Sequence, residues 1–281
     1  MNRLVALVGS TLTTLAVLGA CTVAADPPEA TRSTSPSPST SAADPTSGTP
    51  APAEPTQAVP EVGECRAFGL DAALAPVSRV DPRPCRRTHT AQTFLVGRLD
   101  LVQDGRRLAV DSPAVQARPA ERCDDRLPRH LRADARALRL SMVQAVWFTP
   151  SVEDAAAGAD WFRCDVVVLG AADRLLPLPA RTAGIGTPER FAMCATAEPG
   201  TAAFARVACS RPHSWRAVST VDLAGPEVPT PAEAATRMEA PCRAVARARA
   251  GDPLDFAWSQ ESPTREQWAA GQRHGICWVP A

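Results

Sequence analysis

The apolar positions change character along the chain. Leu4 to Ala20 is an apolar run that carries Ser, Thr and Gly but no charge. Residues 22–60 are dominated by Pro, Ser, Thr and Ala and show no periodic apolar stripe. From residue 61 onward the spacing becomes regular. Thr90 to Leu101 sets Phe94, Val96 and Leu99 among polar residues, which predicts a strand. Ser112-Pro113 opens a helix, with Ser as N-cap and Pro in the first turn. Cys123, Leu127 and Leu131 recur every fourth position, so one helical face carries a cysteine inward. Pro119 and Pro128 predict that this helix is irregular or broken. Leu138 to Phe148 predicts a second strand, and the Val-rich segment Trp161 to Leu169 a third, buried one. The pattern then recurs. Trp215 to Leu223 predicts a strand, Thr230-Pro231-Ala232-Glu233 a capping box, and Ala235, Met238, Cys242 and Val245 one helical face. Phe256 to Ser259 and Gly275 to Val279 predict short strands. Ser151 with Asp154, and Thr264 with Gln267, are capping patterns; each is followed by a glycine stop, Gly158 or Gly271. Strand, helix, strand, short helix, strand predicts an α+β unit built on a mainly antiparallel sheet.

The cysteines make the recurrence explicit. After Cys21 they fall into two sets: Cys65, Cys85, Cys123 and Cys164, then Cys194, Cys209, Cys242 and Cys277. A histidine follows the second cysteine of each set at the same distance, His89 and His213. Pro150, Gly158 and Cys164 have the same spacing as Pro263, Gly271 and Cys277. This predicts an internal duplication, with one repeat over residues 61–170, a connector over 171–189 and a second repeat over 190–281.

The N-terminus reads as an export signal over residues 1–20, with Asn2 and Arg3 as a short positive start. Leu18-Gly19-Ala20-Cys21 resembles a bacterial lipobox, which implies cleavage before Cys21 and lipid on its thiol and new amino terminus. Two acyl chains are enough for stable anchoring, so the membrane is an expected partner. The expected location is the outer face of the cytoplasmic membrane. Residues 21–60 cannot bury enough apolar area to offset their ordering entropy and are expected to form a disordered tether. Fully extended, it would reach on the order of 120 Å.

Charge narrows the partners. The 30 basic and 30 acidic residues balance, which argues against nucleic acid. Every basic residue is Arg, and Lys and Tyr are absent, so Schiff-base chemistry and tyrosine acid or nucleophile roles are excluded. No Cys-x-x-Cys occurs, and the four histidines lack metal-ligand spacing, so neither a metal nor a cofactor is expected. No Gly-x-Ser-x-Gly occurs either. With an export signal, the eight paired cysteines predict disulfides. A scheme shared by both repeats favours Cys65–Cys85, Cys123–Cys164, Cys194–Cys209 and Cys242–Cys277.

Taken together, Gly63-Glu64-Cys65, Pro84-Cys85-Arg86-Arg87-Thr88-His89, Ala208-Cys209-Ser210-Arg211-Pro212-His213 and the run Pro263 to Arg273 ending at Cys277 carry a resemblance. The chain resembles the actinobacterial septum-formation domain family over most of residues 61–281. The resemblance implies an exported or membrane-anchored protein linked to cell division, and it brings no enzymatic activity. The chain departs from the family where an acidic residue tends to follow the histidine: Gln92 and Arg216 stand there. Repeat 1 also has Ala155 where repeat 2 has Trp268.

Four residues are candidates for binding. His89 and His213 read as structural rings beside the cysteine loops, or as acid/base groups of an envelope hydrolase. Trp161 and Trp268, if exposed, would anchor a protein partner or stack on a sugar of cell-wall material. The favoured function is a non-enzymatic binding or scaffold module at the envelope, with envelope or division proteins as partners. The rivals are the hydrolase and a small-ligand sensor.

Overall fold

A computed structural model describes residues 54–281. The export signal, Cys21 and the tether up to residue 53 lie outside the described residues. The first half contains, in order, β1 (Cys65–Arg66), α1 (Leu70–Leu74), β2 (Ala91–Arg98), the hairpin β3 (Val102–Gln103) and β4 (Arg106–Arg107), α2 (Pro113–Leu131), α3 (Ala135–Arg139), β5 (Val143–Phe148), α4 (Val152–Ala156), β6 (Trp161–Ala171) and β7 (Arg174–Leu175). The second contains β8 (Met193–Ala195), β9 (Arg206–Ala208), β10 (Trp215–Asp222), α5 (Pro231–Arg249), β11 (Ser259–Glu261), α6 (Arg265–Ala269) and β12 (His274–Pro280). One sheet has the order β1-β2-β6-β5, with β7 on β6; the other runs β11-β12-β10-β8-β9. Every pairing is antiparallel. The fold is therefore mixed α+β.

The two sheets share their register. In β2–β6, Ala91 faces Val167 and Arg98 faces Trp161, with a bulge between Thr93 and Leu95. In β10–β12, Trp215 faces Pro280 and Asp222 faces His274, with a bulge between Ala217 and Ser219. A shift of 124 residues on the first strand (Ala91 to Trp215) and 113 on the second (Val167 to Pro280) carries one ladder onto the other, bulge included. The isolated bridge between Cys65 and Arg83 likewise matches the pair Cys194 and Val207. Four disulfides join first to second and third to fourth cysteine of each set. Cys123 and Cys242 tie the long helices α2 and α5 to the strands β6 and β12.

The capping chemistry is local and follows the sequence. Ser151 accepts a hydrogen bond from Asp154 N at the start of α4. Thr230 with Glu233, and Thr264 with Gln267, form reciprocal capping boxes. Helix α2, expected to be broken, runs unbroken through Pro119 and Pro128. Each proline forfeits one backbone bond. The cysteine bridge and the buried Val115, Leu127 and Leu131 hold the helix on the sheet along its whole length.

Two expected strands shift. The strand expected from Leu138 begins only at Val143, because Asp134 caps α3 by accepting from Ala137 N. The expected strand Phe256 to Ser259 shifts to Ser259–Glu261. The connector over residues 171–189 is bonded to the first half. Leu176 N donates to Val168 O, Leu178 N to His89 O, and Gly184 N to His130 O. The tether also ends before residue 60. Thr56 donates both its N–H and its hydroxyl to Asp154 Oδ1, and Pro60 is buried. These bonds hold the Asp154 carboxyl below the usual carboxylate range.

Residues 54–281 belong to one compact unit. Its main core takes Val146, Phe162, Val166 and Leu131 from the first half and Met193, Ala195, Ala217, Ile276 and Trp278 from the second. A smaller cluster under α5 contains Val218, Met238, Trp268 and the Cys242–Cys277 bridge. The sheets meet where Met142 N donates to Phe191 O and Met193 N to Leu140 O. Arg136 and Arg139 of α3 reach across to Ser219 and Asp222.

Candidate functional site

The histidines differ in their surroundings. His89 is 1% exposed, and both ring nitrogens meet backbone carbonyls, Arg87 O at 2.8 Å and Pro179 O at 3.2 Å. Neither nitrogen is free for proton transfer to a substrate. His213 is exposed and bonds Arg211 O through Nδ1, the same turn contact that His89 makes with Arg87. Close to it, Glu189 is held by a bidentate Arg216. Hydrogen bonding to Arg216 pulls the Glu189 carboxyl below its ordinary range. Ser214 donates its hydroxyl to Thr196 O. Cys194, Cys209 and His213 bring ligand-type atoms within 4.8 Å of one another. Both sulfurs are bound in a disulfide, so this trio offers no thiolate to a metal.

The tryptophans correct the expectation of surface anchors. Trp268 is 5% exposed, donates its Nε1–H to Pro226 O, and stacks under Arg273. It is a core residue because the short helix α6 turns it under α5. Trp161 is 3% exposed, yet it lines a cavity. Its indole N–H has no partner among the described residues.

That cavity lies against the first sheet. It encloses about 510 Å³. One wall is Trp161 and Arg163 of β6; the others are Glu64 and Arg66, the loop 78–82, and the docked segment 56–60. Side chains alternate along a strand. Cys164 points to α2 through its disulfide, so Trp161, Arg163 and Asp165 lie on the opposite face. There they continue a buried polar row. Arg66 pairs with Glu64 and donates Nη1–H to Thr93 Oγ1 at 3.0 Å. Thr93 donates to Asp165 Oδ1 at 2.7 Å, and Arg163 Nε donates to Asp165 Oδ2 at 3.1 Å. Phe148 supports the Arg163 guanidinium from one side at 4.5 Å. Burial pulls the Arg163 guanidinium below its ordinary range; Asp165 opposes this and Arg66 adds to it. Arg163 Nη2 makes no hydrogen bond among the described residues.

The shared register shows what stands at these places in the second half. Glu64, Arg66, Thr93, Trp161, Arg163 and Asp165 correspond to Met193, Ala195, Ala217, His274, Ile276 and Trp278. Five of those six are apolar, and all five belong to the main core. Aligning the two halves on their cysteines sets these residues side by side and carries the contrast in the sequence.

His274 is the polar exception in the second half. Burial, with help from Arg139 and Arg206 and against Asp222, lowers its pKa to about 4 from an ordinary 6.5. The folded state therefore resists a proton that the unfolded chain accepts. Its stability contribution is complete above about pH 6.5 and falls as pH drops toward 4. His274→Gln is expected to flatten this acid slope in chemical denaturation measured across that range. His130, whose pKa is also lowered by burial, leaves a residual slope. An unchanged slope in the variant would refute the assignment.

No helix among the described residues is long and apolar enough to cross a membrane. No curated protein and no solved structure matches the chain. The family model described as septum formation matches residues 62–277, from just before the first cysteine of the first set to the last of the second. The chain belongs to the septum-formation family.

Proposed function

We propose that this chain is a non-enzymatic binding or scaffold module of the cell envelope, lipid-anchored through Cys21 at the outer face of the cytoplasmic membrane and acting in septum formation. The observation that carries the reading is the family match over residues 62–277. The four disulfides agree with an oxidising, extracytoplasmic compartment. The enclosed His89 supports a structural role for the histidine turn, against the hydrolase reading. Envelope or division proteins and cell-wall material are the partner classes in view, and the cavity favours the small-ligand form of the module.

The test is fractionation together with a cell-division readout. Cys21→Ala is expected to release the protein from the membrane fraction, and intact-mass analysis of the parent should show two acyl chains. Cells carrying the released form should misplace or delay septa. Full membrane retention of Cys21→Ala would sink the anchor. His213→Ala should leave septation normal; loss of septation with normal folding would favour the hydrolase.

A further inference from the structure

The polar row on the first sheet is costly for the fold. Buried ion pairs are often no better than apolar residues of similar size. The second half shows the apolar solution at the same register, with Met193, Ala195, Ala217, Ile276 and Trp278 packed in the core. The fold therefore does not require Glu64, Arg66, Thr93, Arg163 and Asp165. The row also ends in unspent hydrogen-bonding capacity. Among the described residues, Trp161 Nε1 and Arg163 Nη2 are buried donors without partners, and Gln57 Oε1 is a buried acceptor without one. All three residues line the same cavity of about 510 Å³. Leaving such groups unpaired costs about 1–3 kcal/mol each, and the cavity lies within the usual size range of small-molecule sites.

The geometry points to the cavity beneath residues 56–60 as a binding site for a small carboxylate that carries a neighbouring N–H, such as an acylated amino acid. The carboxylate accepts from Trp161 Nε1 and Arg163 Nη2. Asp165 holds the guanidinium by Nε, which leaves Nη2 for the ligand. The amide oxygen of Gln57 takes the ligand N–H, while its own nitrogen is anchored on Ser78 O. Arg66 is spent on Glu64, Thr93 and Val80 O, so it shapes the wall rather than binding. Because segment 56–60 is the end of the tether and is clamped by Thr56 on Asp154, the ligand would sit under the point where the tether meets the folded unit.

The inference rests on the binding-module reading, but it is tested separately, by ligand titration rather than by fractionation. The probes are N-acetylalanine, its neutral amide and inorganic phosphate, added to the full chain in mild detergent. The readout is the set of indole N–H resonances, with Trp161→Phe assigning the one in the cavity. N-acetylalanine is expected to shift the Trp161 resonance, and the amide to bind at least about tenfold more weakly. Trp161→Phe removes a donor that has no partner in the free protein, so thermal stability should hold while affinity falls about tenfold. No shift with N-acetylalanine, an equal response to the amide, or an equal response to phosphate overturns the proposal. The acid and amide comparison uses the unaltered chain, so it decides the matter even if the variant folds poorly.

Discussion

Replacing Cys123 and Cys164 together by alanine is expected to lower the unfolding free energy by about 4 kcal/mol. The bridge closes a loop with a sequence separation of 41 residues. Loop-closure entropy for that length gives a stabilisation of about 4 kcal/mol. Both cysteines are fully buried, and the bridge is the covalent tie between α2 and the sheet. Its loss should therefore also loosen the helix that carries Pro119 and Pro128. The shorter bridge, Cys194–Cys209, spans 15 residues, and its removal should cost about 3 kcal/mol. Guanidinium denaturation of the purified chains without reductant gives both numbers. A loss below about 1 kcal/mol at Cys123–Cys164 would mean that packing alone fixes α2, and that the entropic account fails here.

The second large effect concerns the buried row. Asp165→Leu should destabilise the chain by about 3–5 kcal/mol, because it strands the buried Arg163 without the carboxylate it is hydrogen-bonded to. It also strips Thr93 of its acceptor. Adding Arg163→Met to Asp165→Leu should recover most of the loss, since the pair would then be apolar, as Ile276 and Trp278 are in the second half. Denaturation of the two single variants and the double variant forms a complete cycle. If Asp165→Leu alone is neutral, the row carries no buried charge and the contrast between the two halves loses its meaning. The double variant should fold yet fail to shift with N-acetylalanine, which separates the stability role of the pair from its place in the cavity.

Much of the architecture was legible because its signals are local or covalent. Thr230, Thr264 and Ser151 announce helix starts through side chains that reach only three residues ahead. The cysteine spacing announces the two-fold plan, since a shared scheme leaves few pairings to consider. The errors have a common cause. Pro119 and Pro128 predict a break from local strain, but a bridge and a buried apolar face outside that window decide the helix. The Pro- and Gly-rich connector carries no periodic pattern, yet its backbone bonds to the first half, as Leu178 N does to His89 O, across a sequence distance that no local pattern spans.

The site was less legible for the same reason. His89 and His213 repeat in sequence, and what they repeat is a turn contact to the carbonyl two residues earlier. Trp161 and Trp268 are the same amino acid, but Trp268 fills a core with its N–H satisfied, while Trp161 lines a cavity with its N–H unsatisfied among the described residues. Alternation along β6 placed Trp161, Arg163 and Asp165 on one face. It said nothing of what covers that face. The residues themselves specify a disulfide-stapled α+β fold with antiparallel sheets, because caps, bridges and strand periodicity act over short or covalently closed distances. Only the packed chain settles that the second unit buries this face as apolar core, while the first roofs it with the end of the tether and keeps it polar. That difference depends on which surfaces meet across the whole fold, and no short window of sequence contains it.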